Sequence, residues 1–279
     1  EDCQLVWDIF KLTALIEFAV KRAELTGLAM DRFGGSVASW DNRYWPWWHR
    51  AGYVAPNWQD NPEGIGSPGG YVMNSEPGLY DNVLVLDFKS LYPSIIRTFK
   101  IDPLAMAVGL HASPHDAVRD QQQTSDVDLH RLVPGFNGAL FSKQNNILPT
   151  IIDELWAARD VAKQQKDTAM SQAIKILMNS FYGVLGTPGC RFFDYRLPSS
   201  ITLRGHEILT QTKNFIERQG FKVIYGDTDS IFVWLEHLPK ESSAKEINAI
   251  GNELARELNS WWIKKLQHEL QLDSHLEIE

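Results

Sequence analysis

Val223-Ile-Tyr-Gly-Asp-Thr-Asp-Ser-Ile-Phe-Val-Trp-Leu235 is the stretch on which the fold turns. Two apolar runs rich in β-branched and aromatic residues flank a polar YGDTDS core. That is the pattern of two strands joined by a tight turn. One Asp in such a turn is ordinary, because its side chain bonds the local backbone. Two, Asp227 and Asp229, beside an aromatic strand, bring like charges together in a place where charge is costly. Read alone, YGDTDS is as well explained by turn chemistry as by a functional site.

Working outward gives the order of elements. Asn82-Val-Leu-Val-Leu-Asp87 reads as a buried strand. A helix is expected over 199–219, ended by Gly220, then strands at 221–225 and 231–235. A long amphipathic helix follows from about Ser243 to 267, with Ile247, Ile250, Leu254, Leu258 and Trp261 on one face. His275-Leu-Glu-Ile-Glu279 alternates like a strand. The sum is β-α-β-β-α-β, the ferredoxin-like order of an α+β fold. A helical crossover makes strands 82–87 and 221–225 parallel, so Asp87, Asp227 and Asp229 are expected on one sheet edge. Converging carboxylates call for a cation, and hard oxygen ligands suit Mg²⁺. Two such ions about 3.5–4 Å apart can hold the attacking and leaving oxygens of a phosphoryl transfer.

A second unit interrupts this order. Pro149 opens a helix to about Lys166, and a second runs from about Ala169 to Leu185, stopping at Gly186. So short a link makes them an antiparallel hairpin. Lys175, Asn179 and Tyr182 share one face of the second helix, beside an apolar stripe of Ile174, Leu177, Met178, Phe181 and Leu185. Arg159, Lys163 and Lys166 share a face of the first. Antiparallel packing gathers Arg159, Lys163, Lys175 and Asn179, a patch suited to a triphosphate; a solvated basic face is the plainer alternative. Asp87-Phe-Lys-Ser-Leu-Tyr-Pro-Ser94 turns sharply into a short helix expected after Pro93, and its backbone N–H groups could cradle phosphate. Tyr92 is either a core tyrosine or a ring placed against a sugar 2′-hydroxyl.

The remainder is less informative. Residues 4–26 show helical periodicity ended by Gly27. Residues 27–80 are rich in Gly, Pro and Trp without a clear period, 61–70 is a loop by composition, and Tyr44-Trp-Pro-Trp-Trp48 is expected to pack in the core. Residues 111–131 read as a flexible surface insertion. The 279-residue chain carries a net charge of −8, which argues weakly against nucleic acid as a partner. No stretch is long and apolar enough to span a membrane, and no signal peptide is evident. Cys3 and Cys190 are expected as free thiols of a reducing cytoplasm. The start at Glu1 suggests an excised or processed piece.

DFKSLYPSII (87–96), KILMNSFYG (175–183) and YGDTDS (225–230) resemble, in order and spacing, motifs A, B and C of the family B DNA polymerases. RTFKIDP, CRFFD and the GGYV…PGLYD approach extend the resemblance over nearly the whole chain. It implies a palm with an inserted two-helix fingers hairpin: a connector over 1–80, palm over 81–146, fingers over 147–188, and palm again over 189–279. It implies Asp87 and Asp229 as principal ligands of two Mg²⁺, with the Phe88 carbonyl on the metal and Asp227 a secondary carboxylate. Ser90, Leu91, Tyr92, Arg159, Lys163, Lys175 and Asn179 would bind the incoming deoxynucleotide, Tyr92 as sugar gate and Lys175 also as general acid. Tyr182, Gly183 and Tyr225 would face the nascent base pair or DNA, and Glu277 and Glu279 would lie near the metals.

Primer-template DNA would be the partner, with a sliding clamp reached through regions outside this chain. The setting would be a bacterial cytoplasm, at the nucleoid, in replication or repair. Nothing resembles the family's exonuclease motifs or its Lys-Lys-Tyr-type motif and thumb. The resemblance therefore implies a core fragment of weak or no activity by itself, and an acidic charge that reflects missing DNA-binding surface. Two other classes fit less: a non-catalytic nucleic-acid-binding ferredoxin-like module, which needs no convergent carboxylates, and a cyclase-like nucleotidyl transferase, which leaves the basic hairpin idle.

Overall fold

Alternation fixes the central sheet. In β1 (Val83–Asp87) Leu84 and Leu86 are buried while Val85 faces out, so the run is half-buried rather than buried on both faces. β4 (Lys222–Asp227) and β5 (Ser230–Trp234) are the hairpin around YGDTDS, with a bulge between Val223 and Tyr225. The order is β1–β5–β4, both pairs antiparallel. β1 and β4 therefore run the same way on either side of β5, and Asp87 and Asp227 both stand opposite Ser230. The computed structural model describes residues 1–32, 34–58, 66–112, 130–239 and 241–279.

The chain end differs from the expected strand 275–279. It forms one bridge, Phe88 to Ile278, not a strand. Asp87 and Glu279 exchange backbone hydrogen bonds at 3.0 Å each way, and Lys89 N–H donates to the Glu277 carbonyl at 2.9 Å. On one side Ser90, at φ 47°, turns the chain into α4 (Leu91–Phe99) and ends the ladder. On the outer side Asn259 takes both backbone groups of Ile278. Asn259 belongs to α9 (Ala244–Leu270), whose start is a full capping box of Ser243 and Glu246. α8 (Arg196–Arg218) precedes β4, and both helices bury their apolar faces in the common core.

α6 (Leu148–Gln164) and α7 (Thr168–Leu185) form the helical hairpin, joined by residues 165–167. Asp167 caps α7 by accepting from Met170 N–H at 2.8 Å. All five residues of the apolar stripe on α7 are buried.

Toward the N-terminus the periodicity misleads. Two helices, α1 (Asp2–Thr13) and α2 (Leu15–Thr26), replace the single helix expected over 4–26. Ala14 is left-handed at φ 51°, and no residue of α1 is buried, so no packing holds the two in line. Conversely, α3 (Ser36–Arg50) occupies part of the segment read as aperiodic. Trp40, Tyr44 and Trp48 recur every four residues and are buried, whereas Trp47 is exposed. Trp40 and Tyr44 stack with centroids 4.6 Å apart. Pro46 and the exposed Trp47 disguise the period. Residues 66–70 of the expected loop have no regular structure; its remainder, and most of the expected insertion 111–131, lie outside the described residues. That insertion is flanked by α5 (Pro103–Ala112) and a small hairpin of β2 (Leu132–Pro134) and β3 (Leu140–Ser142). Both cysteines are free, and burial pushes the Cys190 thiol up to about 12.

One buried carboxyl ties these parts together. Asp102 accepts from the Tyr44 hydroxyl of α3 at 2.8 Å, from Ala105 N–H in α5 at 2.8 Å, and from Leu148 N–H at the start of α6 at 2.9 Å. Burial raises its pKa to about 6 against the pull of those donors.

Candidate active site

The turn after β1, the β4–β5 turn and the helical hairpin enclose a cleft of about 710 Å³. Its floor is the sheet edge. Asp87 and Asp229 both line it, and the Phe88 N–H donates to the Asp229 carbonyl at 2.9 Å, fixing one carboxylate-bearing turn against the other. The Ser230 hydroxyl donates to Asp87 Oδ1 at 2.7 Å across the β1–β5 pair. Burial first, then the Asp87 and Asp227 charges, push the Asp229 carboxyl above its usual range, and Lys175 pulls it back.

The opposite wall is basic. Arg159, Lys163, Lys175 and Asn179 all line the same cleft. The Arg159 Nε is buried without a hydrogen-bond partner, while the residue as a whole is half-buried. Trp156 and Asp160 join this wall; with Arg159 and Lys163 they complete a helical face of α6, and that spacing is the signal that could have found them.

Between the walls lie Ser90, Leu91 and Tyr92. The Tyr92 ring packs on Tyr182 at 4.8 Å, and burial above all pushes its hydroxyl up to about 12. Tyr92 is thus partly core and partly cleft wall, so the two readings of it are not exclusive. Glu277 and Glu279 also reach the cleft, where Lys89 Nζ pairs with them at 2.6 and 3.0 Å. Lys89 and Ser230 sit inside the quoted motifs without having been singled out; for Ser230 the strand register opposite Asp87 was the available signal.

Three expected residues stand off the cleft wall. Asp227 is exposed, and its carboxylate accepts from the Thr228 hydroxyl at 2.8 Å, with the Tyr225 hydroxyl 3.5 Å away. Tyr225 packs on Phe232, and Gly183 faces open space. Among the described residues no group of three His, Cys, Asp or Glu side chains is gathered closely enough to hold an ion by itself. The donor set that is present, two carboxylates facing a basic wall, fits an ion such as Mg²⁺ that takes one or two carboxylates and completes its shell with phosphate and water.

An acidic floor under a basic wall, with a tyrosine between them, defines a class: proteins suited to a polyphosphate carried with its divalent cations. Comparison with known proteins makes the class specific. The family model for DNA polymerase family B matches residues 47–275, and the chain belongs to that family. It is 52% identical to DNA polymerase II of Escherichia coli (strain K12) over all of its 279 residues, which make up 33% of that protein. It is 33% identical to the DNA polymerase alpha catalytic subunit of Mus musculus over 218 residues, 74% of this chain and 14% of that one. The fold resembles the family B DNA polymerase of Pyrobaculum calidifontis, with TM-score 0.59 and 24% identity over 96% of this chain and 32% of that one. The chain thus spans about a third of its bacterial relative. No helix among the described residues is long and apolar enough to cross a membrane.

Proposed function

We propose that this chain is the palm-and-fingers core of a template-directed DNA polymerase. In it the sheet with its flanking helices is the palm, and α6–α7 the fingers. The reaction is the addition of a deoxynucleotide to a primer 3′-hydroxyl, with primer-template DNA and deoxynucleoside triphosphates as substrates. One observation carries the reading: Asp87 and Asp229 line a single cleft together with Arg159, Lys163, Lys175 and Asn179.

Each group then has a task. Asp87 and Asp229, with the Phe88 carbonyl, would hold two Mg²⁺, which when bound lower the charge barrier between the 3′-oxygen and the phosphate. Ser230 keeps Asp87 in one rotamer by its hydrogen bond. Arg159, Lys163 and Asn179, which line the cleft, bind the triphosphate. Lys175, close enough to Asp229 to influence its charge, donates a proton to the departing pyrophosphate. Tyr92, held by Tyr182, stands under the sugar and excludes a 2′-hydroxyl. Most of the rate would come from positioning and charge stabilisation.

The test is binding of a deoxynucleoside triphosphate to this chain with and without Mg²⁺. Asp87→Ala should abolish the metal-dependent part and leave the metal-independent part intact. Identical isotherms for Asp87→Ala and the parent would show the floor of the cleft to be misassigned.

A further inference from the structure

The turn between β4 and β5 does not hold its shape alone. Thr228, between Asp227 and Asp229, is left-handed at φ 53°. A β-branched residue is an outlier there, at a cost of about 1–3 kcal/mol unless its surroundings impose it. The surroundings are specific. Thr228 N–H donates to the Tyr71 carbonyl at 2.8 Å, and its hydroxyl donates to Asp227 Oδ1 at 2.8 Å. The chain before β1 runs antiparallel along the outer edge of β4: Val72 bridges Asp227, and Met73 N–H donates to the Gly226 carbonyl at 2.8 Å. The segment is anchored in turn, because His206 on α8 bonds the Gly69 carbonyl at 2.8 Å and its ring packs on Tyr71 at 5.2 Å. Gly70 lies against Thr228, where a Cβ would sit 2.5 Å from the Thr228 hydroxyl oxygen and 3.1 Å from its methyl. At Gly69 a Cβ would meet nothing within 4 Å.

We propose that Gly70 and Tyr71 are positioning residues of the catalytic turn: they hold Thr228 left-handed, so that Asp227 is turned out of the cleft while Asp229 is turned in. The proposal rests on the polymerase reading of the cleft and assigns to the segment before β1 a part in it. The reason is local geometry. Asp227 and Asp229 are separated by one residue, so the dihedral angles of that residue set which carboxylate faces the cleft. The contacts fixing those angles come from 157 positions earlier in the chain, Tyr71 against Thr228.

The experiment measures Mn²⁺ binding to the chain with deoxynucleoside triphosphate by water-proton relaxation, and nucleotide binding without metal by equilibrium dialysis. Gly70→Ala should weaken Mn²⁺ binding at least tenfold and leave metal-free nucleotide binding unchanged. Gly69→Ala should match the parent in both. Combining Gly70→Ala with Thr228→Gly removes all three atoms that an alanine would meet, and should bind Mn²⁺ within threefold of Thr228→Gly alone. Equal Mn²⁺ affinity in Gly70→Ala and the parent overturns the proposal, as does an equal loss in Gly69→Ala, or an undiminished Gly70→Ala effect in the Thr228→Gly background. Should Gly70→Ala not fold, His206→Ala loosens the same segment and should weaken Mn²⁺ binding about threefold; no change there overturns it too. A parent whose metal-dependent nucleotide binding survives Asp87→Ala defeats the polymerase reading itself, whereas loss in Asp87→Ala with none in Gly70→Ala defeats only the brace.

Discussion

Asp102 offers a prediction whose sign discriminates between two opposed forces. Its carboxyl is buried, which favours the neutral form, yet it accepts from Tyr44, Ala105 and Leu148, which favours the charged one. Burial prevails and raises the pKa from 3.8 to about 6. The folded protein therefore binds more protons than the unfolded chain between those values, and stability falls as pH rises through that window. The interval corresponds to about 3 kcal/mol, fully present below pH 3.8 and lost above about 6. Asp102→Asn cannot ionise. It pays a pH-independent penalty for a misplaced amide N–H, on the order of 1–3 kcal/mol. Urea denaturation of both proteins from pH 4 to pH 8 gives the stability of the parent minus that of Asp102→Asn. That difference should fall by roughly 2.5 kcal/mol over this range, most steeply near pH 5, midway between the two values. A flat difference would show that the carboxyl is not perturbed. A rising one would show that three donors outweigh burial and hold the group ionised.

Ser230→Ala removes a charge-assisted hydrogen bond to Asp87 and should weaken metal binding in the presence of nucleotide about tenfold or more, read by Mn²⁺ titration; unaltered affinity would mean that Asp87 is held by other contacts. Arg159→Ala should reduce nucleotide affinity about tenfold, and Arg159→Lys should not rescue it, since lysine cannot reproduce the planar guanidinium fork; full rescue by lysine would reduce the role of Arg159 to charge alone. Gly109→Ala drives a methyl into the Leu140 backbone carbonyl and should cost about 1–3 kcal/mol in urea melts, whereas Gly183→Ala enters open space inside α7 and should gain about 0.5–1 kcal/mol. Equal effects at the two glycines would contradict the packing described.

What could be read from the sequence was local in origin. The YGDTDS hairpin, the VLVLD strand and the two helices of the α6–α7 hairpin each carry their period and their stops within a few residues. The structure follows them closely, to within a residue or two for α6 and α7. Four of the basic-wall residues followed from helical spacing alone, because an antiparallel hairpin with a short link has little freedom. The failures were of two kinds. α3 was hidden because Pro46 and a run of tryptophans overlay the period of Trp40, Tyr44 and Trp48. The break at Ala14 was hidden because apolar spacing on α1 promises a packing that this helix does not have. The site's supporting contacts were beyond reach for a different reason. Ser230 on Asp87, Tyr71 on Thr228 and Lys89 on the terminal glutamates join residues far apart in the chain, and only strand register brings them together.

The small sheet has one more property. A three-stranded sheet presents two rims of unsatisfied N–H and C=O groups, the standard seed for intermolecular strand pairing. Here the β4 rim is taken up by Val72, Met73 and Glu76, and the Asp87 end of the β1 rim by Glu279. The same two short segments that furnish the cleft with a brace and a pair of glutamates therefore also cover the β4 rim and the Asp87 end of the β1 rim. A lesion that peels either one away would disturb the cleft and, in the same event, bare more of the sheet's rim, so loss of metal-dependent nucleotide binding and onset of aggregation should arrive together.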